Sequence, residues 1–255
     1  MTGLAHQIAL AAEMLLQAQH VVALTGAGIS TPSGIPDFRT PSQGLWEQID
    51  PMAVATLTGF WNNPASFYQW MRPLARVITS AMPNPAHRAL ADLEMMGRLS
   101  AIITQNIDLL HSRAGSTTVH EVHGHLRDLS CTHCFRVYPA EQRLRRFIDE
   151  GDIPYCPHCG GVLKPNVILF GEQLPARTVL AAKQALRRTD LLIVIGSSLE
   201  VFPVADFPRM AQQVGARVIL VNLGPTYFDA SADLVIHADV VETLPAIVTA
   251  LQAAT

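Results

Sequence analysis

The apolar run Val21-Val22-Ala23-Leu24, followed at once by Gly26-Ala27-Gly28, restricts the fold more than any other stretch of this chain. Four successive apolar residues without polar alternation suit a strand covered on both faces. Gly26 and Gly28 carry no Cβ, so the backbone there can turn tightly and come close to a ligand. A strand ending in such a turn aims backbone N–H groups at a pyrophosphate. A full dinucleotide fingerprint has a third glycine three residues after the second, and Thr31 stands there. Pro32, Gly34 and Pro36 argue against an ordinary long helix after the turn. By themselves, the glycines fit a nucleotide-binding turn or a plain Gly/Pro surface loop. Asp37, Phe38 and Arg39 follow, and a plain turn has no use for an aromatic there. The stretch 26–39 is therefore read as a mobile segment that folds over a bound cofactor.

The rest of the chain repeats the alternation that such a strand needs. Short apolar runs predict strands over 99–103, 167–170, 191–195, 218–221 and 234–236. Helical spacing of Ile8, Ala11, Ala12, Leu15 and Leu16 predicts an N-terminal packed helix. Asn84-Pro85 starts another, with Asn as cap and Pro in the first turn, and Gly97 ends it. Further helices are expected near 177–187, 204–214 and 244–251. Strands alternating with helices give an α/β fold, a parallel sheet covered on both faces. Residues 41–83 hold all three tryptophans and much Pro and Asn, and read as a lid with short helices over 45–49 and 64–78.

With 255 residues, 49% hydrophobic, the chain has ample core for one large domain, or one large and one small. A formal net charge of −3 with no long basic run leaves no nucleic-acid footprint. No apolar run approaches the roughly 20 residues that span a bilayer. Residues 1–20 lack Lys and Arg and include Glu13, unlike a signal peptide, so a cytoplasmic location is expected.

All four cysteines lie in two pairs, Cys131-Thr132-His133-Cys134 and Cys156-Pro157-His158-Cys159, separated by 21 residues. Two such knuckles can close a four-thiolate tetrahedron around zinc; two redox pairs are the alternative. A closed four-ligand site leaves no position for water, so this zinc is expected to be structural. His133 and His158, inside the knuckles, are read as bystanders. The surrounding 131–161, with Leu144, Phe147 and Ile148 on one face of an Arg-rich helix, reads as an inserted module.

Polar residues cluster where predicted strands end, which is where parallel sheets bind ligands. Gln105, Asn106 and Asp108 follow the strand over 99–103. Asn106 and Asp108 suit a carboxamide and Gln105 a ribose hydroxyl, although Asn106 taken alone fits a helix N-cap better. Gly196-Ser197-Ser198 and Asn222 end two later strands in the same way. His120, His123 and His125 are candidate general bases that spacing cannot rank.

In this order the motifs resemble the sirtuins, NAD-dependent protein lysine deacylases, from about residue 4 to residue 250. The resemblance is carried by Gly-Ala-Gly-Ile-Ser with Ser-Gly-Ile-Pro-Asp-Phe-Arg, Thr-Gln-Asn-Ile-Asp and Glu121-Val122-His123-Gly124. It continues through the paired cysteines, Lys164 to Glu172, Gly-Ser-Ser-Leu-Glu-Val and Val221-Asn222-Leu223-Gly224. It looks most like the minimal-length bacterial and archaeal members. The resemblance implies a Rossmann-like large domain over 1–40, 84–126 and 164–255. It also implies a small domain made of the lid, 41–83, and a zinc ribbon, 127–163. NAD and an acyl-lysine peptide would share the cleft between them.

It further implies that His123 is the base and that Asn106 acts with it. Ala27, Thr31, Phe38, Arg39, Gln105, Ile107, Asp108, Ser197, Ser198, Asn222 and Leu223 fall on cofactor-contacting positions. Asp239 and Val240 align with adenine contacts. The peptide would add as a strand between 167–172 and 198–202, at Val167, Ile168, Phe170, Gly171 and Glu172 on one side and Leu199 and Val201 on the other. Cys131, Cys134, Cys156 and Cys159 would hold one zinc ion. The products would be lysine, nicotinamide and 2′-O-acyl-ADP-ribose, with Phe38 excluding water. Sirtuins that prefer succinyl or malonyl lysine carry Tyr and, three residues on, Arg. Here Tyr68 is followed at that spacing by Met71, which favours acetyl or longer apolar acyl groups. Mono-ADP-ribosyl transfer and a non-catalytic NAD-sensing module are the competing readings. A monomer without nucleic-acid or membrane partners is expected.

Overall fold

A computed structural model describes residues 3–36 and 54–254. The expected helix over 45–49, and Asp37, Phe38 and Arg39, lie outside the described residues. β1 (Val21–Thr25), β2 (Ala101–Thr104), β3 (Val119–Glu121), β7 (Leu191–Ile195), β8 (Arg217–Val221) and β9 (Leu234–Ile236) form one six-stranded sheet. Its order is β3-β2-β1-β7-β8-β9 and every pair is parallel.

Strand alternation sends side chains into two cores. Val21 and Ala23 of β1, with Leu191, Ile193 and Ile195 of β7, pack against helices Gly3–Gln17, Pro85–Met95 and Val240–Ala253. Val22 and Leu24, with Leu192 and Val194, pack against helices Ala176–Leu186 and Phe207–Gln213. Both faces are thus covered, which explains why these strands read as unbroken apolar runs.

β4 (Gly124–Cys131), β5 (Val137–Pro139) and β6 (Leu163–Val167) form a separate antiparallel sheet in the order β5-β4-β6. Its core is shared with helices Pro64–Ser80 and Glu141–Glu150, and Leu144, Phe147 and Ile148 point into it. The strand expected over 167–170 is not part of the large sheet. β6 stops at Val167, and the apolar residues after it form a crossing segment. Ile168 N donates to His123 O (2.8 Å), while Phe170 bridges to Thr56. Val167 and Leu169 are buried while Ile168 is half-buried and Phe170 exposed, so an apolar run here does not mark a strand covered on both faces.

The helix after Asn84-Pro85 forms as expected. The Asn84 side chain accepts from the N–H groups of Ala86 and His87, and His87 Nδ1 accepts from Asn84 N in return. Among the described residues, no helix is long and apolar enough to cross a membrane.

Candidate active site at the strand ends

The large sheet reverses its order between β1 and β7, and in such sheets the crevice for a ligand opens outside the C-terminal ends of the strands at that point. All six strands deliver sequence-predicted residues to that edge. β1 leads to Ala27 and Thr31, β2 to Gln105–Asp108, and β3 to His123. β7 leads to Ser197 and Ser198, β8 to Asn222 and Leu223, and β9 to Asp239 and Val240.

The two glycine turns interlock. A Cβ at Gly26 or at Gly28 would lie 2.8 Å from Gly196 O, and Gly28 N donates to that same oxygen (2.8 Å). The glycines are therefore demanded by the packing of one strand end on another, which brings the two turns together as a single floor.

Ser30 organises the next layer. Its hydroxyl donates to Asp108 Oδ2 (2.7 Å) and accepts from Asn106 Nδ2 (3.0 Å), which also donates to Gly26 O (3.0 Å). Asp108 Oδ1 accepts from Leu110 N (2.9 Å), the first N–H of the helix Leu110–Ala114, whose cap position is Leu109; the Asn106 side chain does not cap it. Burial raises the Asp108 carboxyl above its usual range, with these hydrogen bonds opposing. Beneath lie His87, whose ring is 3.4 Å from Ser30 Oγ, and His111, 2.9 Å from Thr25 Oγ1, with ring centroids 4.9 Å apart. Burial pushes His87 down to about 4 and His111 down to about 3, the latter also through its neighbour His87. Both rings are therefore neutral packing groups at neutral pH.

His123 Nδ1 lies 3.1 Å from Gln105 O. A carbonyl only accepts, so Nδ1 carries the hydrogen and Nε2 is left with its lone pair as a proton acceptor. Burial lowers the ring's pKa, and the bond to Gln105 opposes this. Gln105 Nε2 in turn donates to Ser197 Oγ (2.9 Å), tying the ends of β2 and β7 across β1. His120 and His125 flank this position; burial lowers both, and among the described residues neither hydrogen-bonds to Gln105–Asp108.

Other predicted residues contribute differently from what their side chains suggest. Leu199 has positive φ (57°) and its side chain is in the core, while Val201 is exposed. Val240 is likewise buried, and the Asp239 carboxylate caps the last helix at Val241 N (2.9 Å). Thr31 Oγ1 donates to Gly28 O (3.2 Å), Ile107 and Ser198 are half-buried, and Leu223 is exposed. Val167 closes β6 opposite Gly124, whereas Phe170 and Gly171 lie exposed beyond it. The Glu172 carboxylate is held by Lys164 Nζ (2.9 Å). Sequence reasoning gave no role to Ser30, Lys164 or His237. His237 links Asn222 O (3.1 Å) to the Asp229 carboxylate (3.0 Å). Ser30 and Lys164 stand inside motifs with a visible pattern, whereas nothing in the spacing singles out His237.

The Sγ atoms of Cys131, Cys134, Cys156 and Cys159 lie within 4.8 Å of one another, with 3.4 Å between Cys131 and Cys159 and 3.7 Å between Cys134 and Cys156. Tetrahedral zinc–thiolate bonds place sulfurs about 3.8 Å apart. The N–H groups of His133 and Cys134 aim at Cys131 Sγ (3.4 Å each), and Tyr138 OH donates to Cys156 Sγ (3.1 Å). The four cysteines are positioned to bind one zinc ion, and His133 and His158 are outside the set.

Comparison with known proteins agrees with this geometry. A family model described as the Sir2 family matches residues 26–203. The chain is 45% identical over 243 residues to NAD-dependent protein deacylase 2 of Archaeoglobus fulgidus, covering 95% of each. It superposes on a solved complex of a Sir2 homolog with NAD at a TM-score of 0.89 and 35% identity, covering 95% of this chain and 93% of that one. With Sir2Tm bound to a propionylated peptide the TM-score is 0.82 at 39% identity, covering 91% and 93%.

Proposed function

The chain belongs to the Sir2 family, and from that premise we propose that it is an NAD-dependent protein lysine deacylase. The observation that carries this reading is His123, fixed by Gln105 O in the tautomer that leaves Nε2 as a base. A module that only sensed the dinucleotide has no use for such a base at the mouth of its site. NAD would bring the bond between nicotinamide and ribose, whose loss opens the sugar to the acyl oxygen. Asn106, Ile107 and Asp108 would hold the carboxamide, with Ser30 fixing the orientation of the first and last. Ala27, Thr31, Gln105, Ser197, Ser198, Asn222, Leu223, Asp239 and Val240 would line the remainder of the dinucleotide. Phe38 and Arg39 would close over it. His123 would then take a proton from a ribose hydroxyl, leading to 2′-O-acyl-ADP-ribose.

The lid helix supports an apolar acyl group. Met71 is buried, and the Tyr68 hydroxyl donates to Leu163 O. The Arg72 guanidinium is committed to Ile148 O (3.0 Å) and Asp149 O (2.8 Å), at the far end of helix Glu141–Glu150. An acidic acyl chain reaching this helix would find no cation at the position three residues after Tyr68.

Mass spectrometry of an acetyl-lysine peptide with NAD tests the reading. The expected result is loss of the acetyl group, slower with a succinyl peptide and nearly abolished by His123→Ala, a cost of about two to four decades for a missing base. An ADP-ribose adduct on the peptide would instead establish mono-ADP-ribosyl transfer, and full turnover by His123→Ala would remove His123 from the chemistry.

A further inference from the structure

Lys164 is one of only two lysines in the chain, and it stands on β6, immediately before the segment that the deacylase reading assigns to peptide docking. An ammonium has three donors. Here they meet Val167 O (2.7 Å), Pro165 O (3.2 Å) and the Glu172 carboxylate (2.9 Å). The same Glu172 oxygen accepts from Leu169 N (3.0 Å), and Glu172 N donates back to Leu169 O (2.9 Å). Lys164 is 11% exposed and Glu172 25%, so water competes weakly for this pair. The other side of the segment is also committed. Ile168 N donates to His123 O, Phe170 N to Ala55 O, and Leu57 N to Phe170 O. Among the described residues, Ile168 O and Gly171 N have no hydrogen-bond partner.

We propose that the Lys164–Glu172 ion pair is a positioning clamp that holds 167–172 in the shape an acyl peptide pairs with, and so sets peptide affinity. Glu172 then serves the substrate through its neighbours' backbone, not through its carboxylate. The inference rests on the deacylase reading for the identity of the ligand. It predicts an effect confined to one of the two substrates, because the pair belongs to the small sheet's edge and not to the strand ends that would hold NAD.

The test measures the affinity of a fluorescent acetyl-lysine peptide by anisotropy, without turnover, alongside steady-state constants for peptide and NAD. Lys164→Met should weaken peptide binding and raise its KM about tenfold, the usual scale for a lost charge-assisted hydrogen bond. The KM for NAD and kcat at saturating peptide should stay within about twofold. Lys164→Arg, which keeps the charge and several donors, should recover most of the affinity. The double variant Lys164→Met with Glu172→Gln should bind peptide no worse than Lys164→Met, since both changes remove the same pair. If Lys164→Met folds poorly, Glu172→Gln serves alone, because its amide oxygen still accepts from Leu169 N. Unchanged peptide affinity, equal losses toward peptide and NAD, or additive effects in the double variant would overturn the clamp. A wild-type protein that binds the peptide but removes no acyl group would overturn the deacylase reading and leave the clamp to be judged by the anisotropy series.

Discussion

In the proposed reaction, a single hydrogen bond at position 123 sets which nitrogen can act as a base. With Nδ1–H spent on Gln105 O, the Nε2 lone pair is available whenever the ring is neutral. Burial disfavours the charged ring and places its pKa below the ordinary 6.5. A base must be unprotonated to act, so the acid limb of the rate should be centred below the ordinary imidazole range. A kcat/KM profile against pH reads this directly, and an acid limb centred above 6.5 would show that the ring gains a proton more easily than its surroundings allow. How much of this was legible depends on what spacing encodes. The motif around His123 marked the residue, but three neighbouring histidines differed only by partners that the chain order does not show. Ser30 is a sharper case. Its hydroxyl meets an Asp108 oxygen 78 residues away, a contact no local pattern announces. Asn106 reads as a helix cap by residue type, whereas its side chain is spent on Gly26 O and Ser30 Oγ. Asn and Asp are interchangeable at helix starts by type, and only the backbone shows that Asp108 reaches Leu110 N.

Among elements, the legible ones are those whose own sequence is sufficient. β1 and β7 are apolar throughout because both their faces are buried, and the Asn84-Pro85 helix carries its cap in sequence. β3, β4 and β5 do not announce themselves in sequence because they are short or polar and lack the unbroken apolar run of β1 and β7. Gly124 shows the demand that pairing makes. Its φ is +80°, and a Cβ there would lie 2.0 Å from Asn166 O, so β4 can meet β6 only through glycine. The Asn84 cap also does more than start a helix, since its Nδ2 donates to Ile29 O (2.7 Å) and Ser33 Oγ (3.0 Å) behind the glycine turn. Asn84→Ala removes the cap and leaves the Ile29 carbonyl without that donor. A loss of about 2 kcal/mol is expected, read as a fall of about 4–8 °C in Tm. A change below about 0.5 kcal/mol would place this residue among ordinary surface positions.

At the scale of the whole molecule, the metal and the active site are two ends of one pair of strands. β4 starts at Gly124, next to His123, and ends at Cys131; β6 starts beside the knuckle at Leu163 and ends at Val167, where the proposed docking segment begins. The register sets Cys131 against Leu163 at one end and Gly124 against Val167 at the other. Eight residues of strand span about 25 Å, so a closed thiolate site can be remote from the chemistry and still hold its frame. Cys131 and Cys156 are also buried members of the core that includes helix Pro64–Ser80, whereas the large sheet has cores of its own. Removing zinc leaves four cysteines that take up protons and lose the ion that ties the two knuckles together, and structural zinc sites commonly supply folding free energy in this way. Chelation, or Cys156→Ser, should therefore abolish deacylation, while most far-UV circular dichroism and a cooperative thermal transition from the large sheet persist. Zinc added back to the chelated protein should restore activity. Full activity in protein shown by elemental analysis to be metal-free would sever the link between ribbon and base. Loss of every cooperative transition would show instead that the two sheets fold as one unit.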